Sequence, residues 1–589
     1  MARRDSIMRK PHDAKGTLRR MLVYLGQFRL ALLLIFALCV TSNILSLLGP
    51  SLAGSAINEA AAGKGKVDFG RVYYYALRML LCYVCASLLT VSINMFITTV
   101  SKRIARRMRQ DVFDKLMRMK VGYFDQNQAG DIISRVSYDI DVISTCLATD
   151  VTSILTSVVT VAGSVFMMVR LSAPLSLVVL VTVPVAIIYT TRMRRITQPR
   201  FSKRSRSYGQ MNGFVEEMLT GQKTILAYAY ENGVEANFEK VNTTAVDAYY
   251  DADYYGSSIG PTIGSINNMG LSLIAIAGSL LYMAGMITLG KISSFVLYSR
   301  KFSGPINEIA NLINELYSAL AAAERVFALL DEEEELTDRK GARALTDVRG
   351  DVALEHVAFG YEPGRPIIHD LTMRADAGRM IAIVGPTGAG KTTIINLLMR
   401  FYDVDAGRIT VDGGDVRDYT RKSLRGAYAM VLQDTWVFRG TIFENIAYGK
   451  EDATMEEVVA AARAAHIHPF VMRLPQGYQT VISEDGGNIS KGQKQLLTIA
   501  RAMLYNTHML ILDEATSNVD TSTERQIQKA MRDLMRDKTC FVIAHRLSTI
   551  QNADLILVLD KGDVVEQGTH ESLMARQGFY YRLYKAQFE

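Results

Sequence analysis

The chain carries 589 residues and a formal net charge of +7, with 49% hydrophobic and 21% charged residues. That length exceeds what one hydrophobic core fills, and a mean hydropathy of +0.11 beside so many charges requires apolar and charged residues to be segregated along at least two domains. Lys and Arg cluster beside apolar spans and form no basic stripe with stacking aromatics, which argues against a nucleic-acid partner.

The opening MARRDSIMRK is polar and basic, with no apolar core or small-residue cleavage site. No cleavable signal peptide is expected, so the first apolar span must itself direct insertion. Residues 17–27 put Leu18, Met21, Leu22 and Leu25 on one helical face and Arg19 and Arg20 on the other, predicting a helix lying in the cytoplasmic interface of a membrane. A helix crosses a ~30 Å hydrocarbon layer in about 20 residues. Predominantly apolar stretches of that order run over 28–57, 72–100, 142–169, 171–190, 258–287 and 291–316, which predicts six spans. Short turns join them on one side and long charged extensions, 101–140 and 191–250, on the other. Lys102, Arg103, Arg106, Arg107 and Arg109, then Arg192, Arg194, Arg195, Lys203, Arg204 and Arg206, place those extensions and both termini in the cytoplasm of a multi-pass cell-membrane protein.

Five cysteines, Cys39, Cys82, Cys85, Cys146 and Cys540, make no disulfide framework in so long a chain. Cys82 and Cys85 form a C-x-x-C, but inside an apolar helical stretch they read as two packed thiols. Residues 331–349, opening DEEEEL, are acidic and aperiodic and read as a linker. Beyond them short β-rich runs such as MIAIVG and HMLILD alternate with helical patterns. The expected fold is thus an α-helical membrane domain over 1–330 followed by an α/β domain over 350–589.

Gly385-Pro386-Thr387-Gly388-Ala389-Gly390-Lys391-Thr392 is a complete G-x-x-x-x-G-K-[ST] loop between an apolar strand and the helical TTIINLLMRF. Its glycines let backbone N–H groups close around phosphates, the helix presents its positive end, and Lys391 neutralises the terminal oxygens, so ATP is the expected ligand. Thr392 is a ligand for Mg2+, with Thr393 beside it at the same helix start. A second strand, Met509 to Asp513, ends in adjacent carboxylates. Asp513 suits magnesium through water, and Glu514 suits polarising the attacking water.

Between the two lies Asn488-Ile489-Ser490-Lys491-Gly492-Gln493, followed by KQLLTIARA, which is similar to the L-S-G-G-Q signature of the ATP-binding cassette family. The resemblance extends over the whole chain, as an exporter-type half-transporter. It implies that Tyr361 in FGYEPG stacks on adenine, that Gln433 in VLQDTWVF is the Q-loop glutamine near the magnesium, that Asn518 to Asp520 form the D-loop, and that His545 in VIAHRLST contacts the γ-phosphate. It also implies that Ser490, Gly492 and Gln493 serve the ATP held by a second cassette, so the active unit is a dimer with two composite sites. The turns near Gly122 to Asp131 and Ala227 to Gly233 look like the family's coupling helices, and Gln433 to Phe438, with the single Trp436, like the surface they meet. One departure stands out: Lys491 replaces the first signature glycine, adding bulk and charge beside the expected γ-phosphate. It favours a heterodimer, in which a sister chain supplies the intact signature, over a homodimer.

Cargo is less legible. Asn94, Asn267, Asn268, Arg300, Lys301 and Glu308 cost energy in lipid and are candidates for the pathway, or for hydrogen bonds between helices. Met167, Met168, Tyr282 and Met283 suit an adaptable cavity or plain helix packing. The expectation is ATP-driven export of small amphipathic or lipid-like molecules. An importer on the same fold, or an ATP-gated membrane regulator, is the alternative.

Overall fold

The computed structural model describes residues 13–63, 65–433, 435–483, 487–513, 521–544 and 547–588. They form two compact units, one of residues up to 117 together with 129–332, the other of 118–128 together with the chain from 333 onward.

The first unit is helical. Its elements are α1 (Ala14–Gly26), α2 (Arg29–Ala60), α3 (Phe69–Leu116), then, beyond the short α4 (Val121–Gln126) of the other unit, α5 (Ala129–Leu171), α6 (Ala173–Thr220), α7 (Gln222–Ala227), α8 (Glu231–Met283) and α9 (Leu289–Asp331). Two π-helical turns, Arg135–Asp139 and Cys146–Asp150, interrupt α5, and α8 breaks briefly at Ser258. Among the described residues α2, α3, α5, α6 and α8 are long and apolar enough to cross a membrane. The expected sixth span, 291–316, lies within α9, where the side chains of 306–311 and 313–314 fall outside the description. The short turns start their helices with side-chain caps: Asp68, Ser172 and Thr288 accept the N–H of Arg71, Leu175 and Lys291.

Helix α9 is zipped to α2 by backbone proximity and polar contacts. A Cβ on Gly290 would lie 1.9 Å from the Gly54 carbonyl oxygen, so both glycines are needed for the helices to touch. Pro50 inside α2 has no N–H, which leaves the carbonyl of Ser46, four residues earlier, without its helical donor. Lys301 fills that place, donating to Ser46 O at 2.9 Å and Oγ at 2.5 Å. Ser294 and Tyr298 add bonds to the carbonyls of Pro50 and Leu47, at 2.8 and 2.5 Å. Met168 is buried in this helix core, whereas Met283 is exposed, so the methionines do not form one cavity wall.

In α1 Met21 is buried and Leu18 and Leu22 are exposed. Arg20 departs from the expected polar face: it pairs with Asp331 and lies over the Phe327 ring, because α1 packs along α9. Arg325 of α9 grips the buried Asp139 of α5 with two bonds of 2.6 and 2.9 Å. Replacing Arg325 with Met strands that carboxylate, and the expected loss is about 3–5 kcal/mol. It should appear as a lowered thermal midpoint of the lipid-reconstituted chain, partly restored by adding Asp139→Asn; an unchanged midpoint would count against this account.

The second unit contains an antiparallel sheet, order β2-β1-β4-β5, of β1 (Val352–Phe359), β2 (Ile368–Ala375), β4 (Ala406–Val411) and β5 (Gly414–Asp415). Its main sheet has order β10-β9-β3-β8-β7-β6, from β3 (Met380–Val384), β6 (Tyr428–Val431), β7 (Met509–Asp513), β8 (Thr539–Ile543), β9 (Leu555–Asp560) and β10 (Asp563–Gly568). All its pairings are parallel except β9 with β10. Burial on both faces explains the unbroken apolar runs. Ile381 and Ile383 face a core shared with α10 (Lys391–Leu398), while Ala382 and Val384 face one shared with α11 (Lys491–Tyr505) and α12 (Thr521–Met535).

Two boundaries differ from the sequence expectation. Residues 118–128 belong with the second unit. The acidic stretch after Asp331 is not a free linker there, because arginines of the same unit neutralise it: Glu335 pairs with Arg425, and Asp338 accepts from the Arg421 N–H at 3.1 Å and its guanidinium at 3.2 Å. Leu345 N–H adds a bond to Ser423 Oγ at 2.9 Å.

Candidate nucleotide site

The loop between β3 and α10 is shaped by positions that exclude side chains. A Cβ on Gly385 would lie 2.3 Å from the Leu559 carbonyl oxygen of the neighbouring strand. Gly390, at φ +99°, caps α10 in the left-handed region, and a Cβ there would meet Ile368 at 2.7 Å. Ala389 and Thr393 are buried, while Thr387, Gly388 and Thr392 are exposed on the loop and the first helical turn. This is a cradle of backbone N–H groups at a helix N-terminus, the arrangement that binds phosphate.

Lys391 reaches back across the loop and donates to the carbonyls of Gly385 at 2.8 Å and Pro386 at 2.9 Å. Burial pushes its amine below the usual lysine range, and the Asp513 carboxylate opposes that shift. The ammonium is held by neutral carbonyls that phosphate oxygens can replace.

Topology gathers the other groups. β3, β8, β7 and β6 are parallel neighbours, so their carboxyl ends open on one edge of the sheet, the usual ligand edge of such folds. The phosphate loop leaves β3 there; Asp513 ends β7, in register with Ile543 of β8; and Gln433 lies exposed in the bend after β6. Glu514 and His545, which directly follow Asp513 and Ala544 in the chain, lie outside the described residues, as do Asn518 and Asp520.

Tyr361 sits beside α10. Its hydroxyl accepts from Asn396 Nδ2 at 3.0 Å and lies 3.4 Å from Thr393 Oγ1. The ring is held nearly perpendicular to Phe359 and to Tyr402, each with centroids 5.0 Å away. Sequence reading missed Asn396 and Tyr402. Asn396 had a signal, since it follows Thr393 at the i+3 spacing that shares a helix face. Tyr402 had none, because only the sheet brings it to Tyr361.

Ser490, Lys491, Gly492 and Gln493 open α11, on the opposite face of the main sheet from α10. Ser490 Oγ accepts the Gln493 N–H at 3.3 Å, and Gln493 Oε1 accepts the Ser490 N–H at 2.8 Å. Gln493, expected to touch nucleotide, is thereby engaged in a capping box. Gly492 is buried, and Lys491 is exposed at the first helical position.

Residues 32–306 match the family of the ABC transporter transmembrane region, and residues 368–517 match the ABC transporter family. The chain is 45% identical over 524 residues to a fatty acid ABC transporter ATP-binding/permease protein of Mycobacterium bovis, covering 89% of this chain and 83% of that one. It is 32% identical to an ATP-dependent lipid A-core flippase of Idiomarina loihiensis, over 99% of both chains. The structure resembles that of a bacterial Atm1-family ABC exporter with ATP bound, at TM-score 0.75 and 30% identity, covering 98% of this chain and 99% of that one.

Proposed function

Because the chain belongs to the ABC transporter family, with a helical transmembrane domain followed by an ABC ATPase domain, we propose that it exports lipid-like amphiphiles with an anionic head from the cytoplasm or inner leaflet, as one half of a dimer. The observation that carries this is a phosphate cradle built on the carboxyl edge of a parallel sheet, in the same chain as helices of membrane-crossing length. ATP hydrolysis is its enzymatic activity.

In this reading Gly385, Thr387, Gly388, Ala389, Gly390, Thr392 and Thr393 enclose the phosphates, Lys391 neutralises them, and Tyr361 takes adenine. The exposed Thr392 hydroxyl and Asp513 are oxygen donors of the kind Mg2+ accepts, with Gln433 alongside; the ion supplies neutralisation of phosphate charge. Glu514 orients the attacking water, and His545 contacts the γ-phosphate. Asp520, with Ser490, Gly492 and Gln493, serves the interface with the second cassette. The position of α11 across the sheet from α10 supports that division, since one signature and one loop on opposite faces suit two chains.

A single copy also leaves Leu226 at the end of α7, and Tyr228 and Tyr230 just after it, exposed, with Trp436 and Tyr448 exposed near the Q-loop, which suits mutual cover between two chains. Lys491 favours a sister chain as that partner. The basic residues of the long extensions support cytoplasmic termini and a cytoplasmic ATPase domain.

Cargo charge is read from Lys301. In this reading α9 holds the sixth span, and Lys301, 12 residues and about 18 Å along that helix, lies deep within a ~30 Å hydrocarbon layer. Its contacts are the neutral Ser46 and, at 5.8 Å, the Tyr83 ring; no salt bridge to it occurs among the described residues. Such a cation is a counter-charge for an acidic head.

The test is ATP-dependent uptake of a labelled long-chain fatty acid into proteoliposomes with the ATPase domain outside. Uptake by the chain with its partner, absent in Lys391→Ala, supports export. Movement in the opposite direction would establish import, and ATP hydrolysis without movement a regulator. Lys301→Gln should lower fatty-acid uptake by about tenfold, the worth of one charged hydrogen bond, and leave the matching fatty alcohol unaffected. Lys301→Arg should retain the preference, whereas equal losses for both probes would assign Lys301 to the α2–α9 contact alone.

A further inference from the structure

Helix α6 divides its cationic side chains between two faces. Towards α8, Arg200 lies over the Tyr255 ring at 4.0 Å, and Arg204 pairs with Asp253 at 2.6 Å while covering the Tyr249 ring. The buried Val179, Ala186 and Thr197 share that side of the helix. On the outer face Arg192 and Arg195 are exposed, and no salt bridge to either occurs among the described residues.

The outer face is apolar before it is basic. Leu177, Val181, Val185 and Ile188 precede Arg192 and Arg195 at steps of three and four residues, so all six lie in one row along the helix. The four apolar side chains are between 50% and 66% exposed. From Leu177 to Ile188 the row is about 16 Å long, the depth of one leaflet of a ~30 Å hydrocarbon layer. The charges begin one turn later, where hydrocarbon gives way to headgroups. The row thus offers an acyl-chain length followed by an anion site, the two halves of a phospholipid.

Arg192 and Arg195, three residues apart, are neighbours on the helix surface and can share the oxygens of one phosphate through paired N–H donors. A zwitterionic headgroup brings its own cation against the pair, which favours a headgroup of net negative charge. An apolar protein surface laid over the row would strand both cations, whereas a lipid phosphate neutralises them. Lys203 and Arg206 continue the row, exposed, but stand about 12 and 16 Å beyond Arg195, outside a polar layer about 6 Å deep.

We propose that this face of α6 docks an anionic phospholipid of the leaflet nearer the long extensions, its phosphate between Arg192 and Arg195 and one acyl chain along Leu177, Val181, Val185 and Ile188. The site goes beyond the export reading, because its lipid is a resident ligand on the outside of the helix and not cargo.

The test is fluorescence quenching of the full chain carrying Ile188→Trp, without ATP, in bilayers that mix phosphatidylglycerol and phosphatidylcholine with bromines on the acyl chains of one or the other. The chain without that substitution supplies the signal of Trp436, its single tryptophan. Quenching should show a preference of about tenfold for phosphatidylglycerol, the worth of one charged hydrogen bond. Adding Arg192→Gln with Arg195→Gln should bring the two lipids within about twofold of each other, and Arg192→Lys with Arg195→Lys, which keeps charge but not the paired donors, should fall between. Lys203→Gln with Arg206→Gln removes equal charge from the same row, beyond a Debye length of about 10 Å, and should leave the preference unchanged. Equal quenching by both lipids before any arginine is replaced, or a preference that survives Arg192→Gln with Arg195→Gln, overturns the proposal. A preference lost as fully with Lys203→Gln and Arg206→Gln overturns it in favour of diffuse attraction, and an indole quenched by neither lipid overturns it in favour of protein covering the row.

Discussion

Lys391→Ala is expected to lower ATP hydrolysis by about 10²–10³-fold, the loss that follows removal of one preorganised donor aimed at developing charge. The side chain lies across the loop it serves, on the carbonyls of Gly385 and Pro386, and its amine is partly desolvated beside Asp513. Charge on phosphate therefore meets a cation in a site of low polarity, where the interaction exceeds its value in water. The backbone cradle survives the substitution, since its shape comes from Gly385 and Gly390, so ATP affinity should fall far less than turnover, by about tenfold. Phosphate release by the lipid-reconstituted dimer, with ATP binding measured separately, checks both. Turnover within about threefold of wild type would mean that hydrolysis occurs elsewhere.

The second large effect concerns Lys491. Purified alone in lipid, the chain is expected to hydrolyse ATP slowly, and Lys491→Gly to raise turnover by about tenfold or more. The side chain stands exposed at the first helical position, so in a dimer it projects from the surface that would cover the partner's nucleotide. Its charge attracts phosphate, but its bulk holds the backbone N–H groups of the signature away from it; binding should persist while catalysis suffers. A sister chain with an intact signature should raise turnover as the substitution does, through the site formed on this chain's own loop. Brisk hydrolysis by the unaltered chain alone, abolished by Glu514→Gln, would instead establish a self-sufficient homodimer.

Much of this protein is legible in its amino-acid order, because both membrane crossing and phosphate binding impose local patterns. A hydrocarbon layer demands long apolar helices, and the short turns between them carry their own caps at Asp68, Ser172 and Thr288. The phosphate loop is a contiguous run whose glycines are required within a few residues of one another. The strands of the main sheet, buried on both faces, announce themselves as unbroken apolar runs.

What the tertiary structure decided are relations between distant residues. The acidic stretch after Asp331 looks like a solvated linker until Arg421 and Arg425 are seen to neutralise it. Lys301 reads as a lone charge in lipid, and only the crossing of α2 and α9 shows it taking the carbonyl that Pro50 leaves unpaired. Tyr361 and Tyr402 belong to separate stretches of chain, and no spacing rule links them. The signature and the phosphate loop, similarly, are two local motifs whose placement on opposite faces of one sheet depends on how the strands alternate. Local order determines backbone conformation and ligand class, since helix, strand and glycine loop depend on near neighbours; which charges cancel and which rings touch depends on long-range packing, and that is a property of the fold.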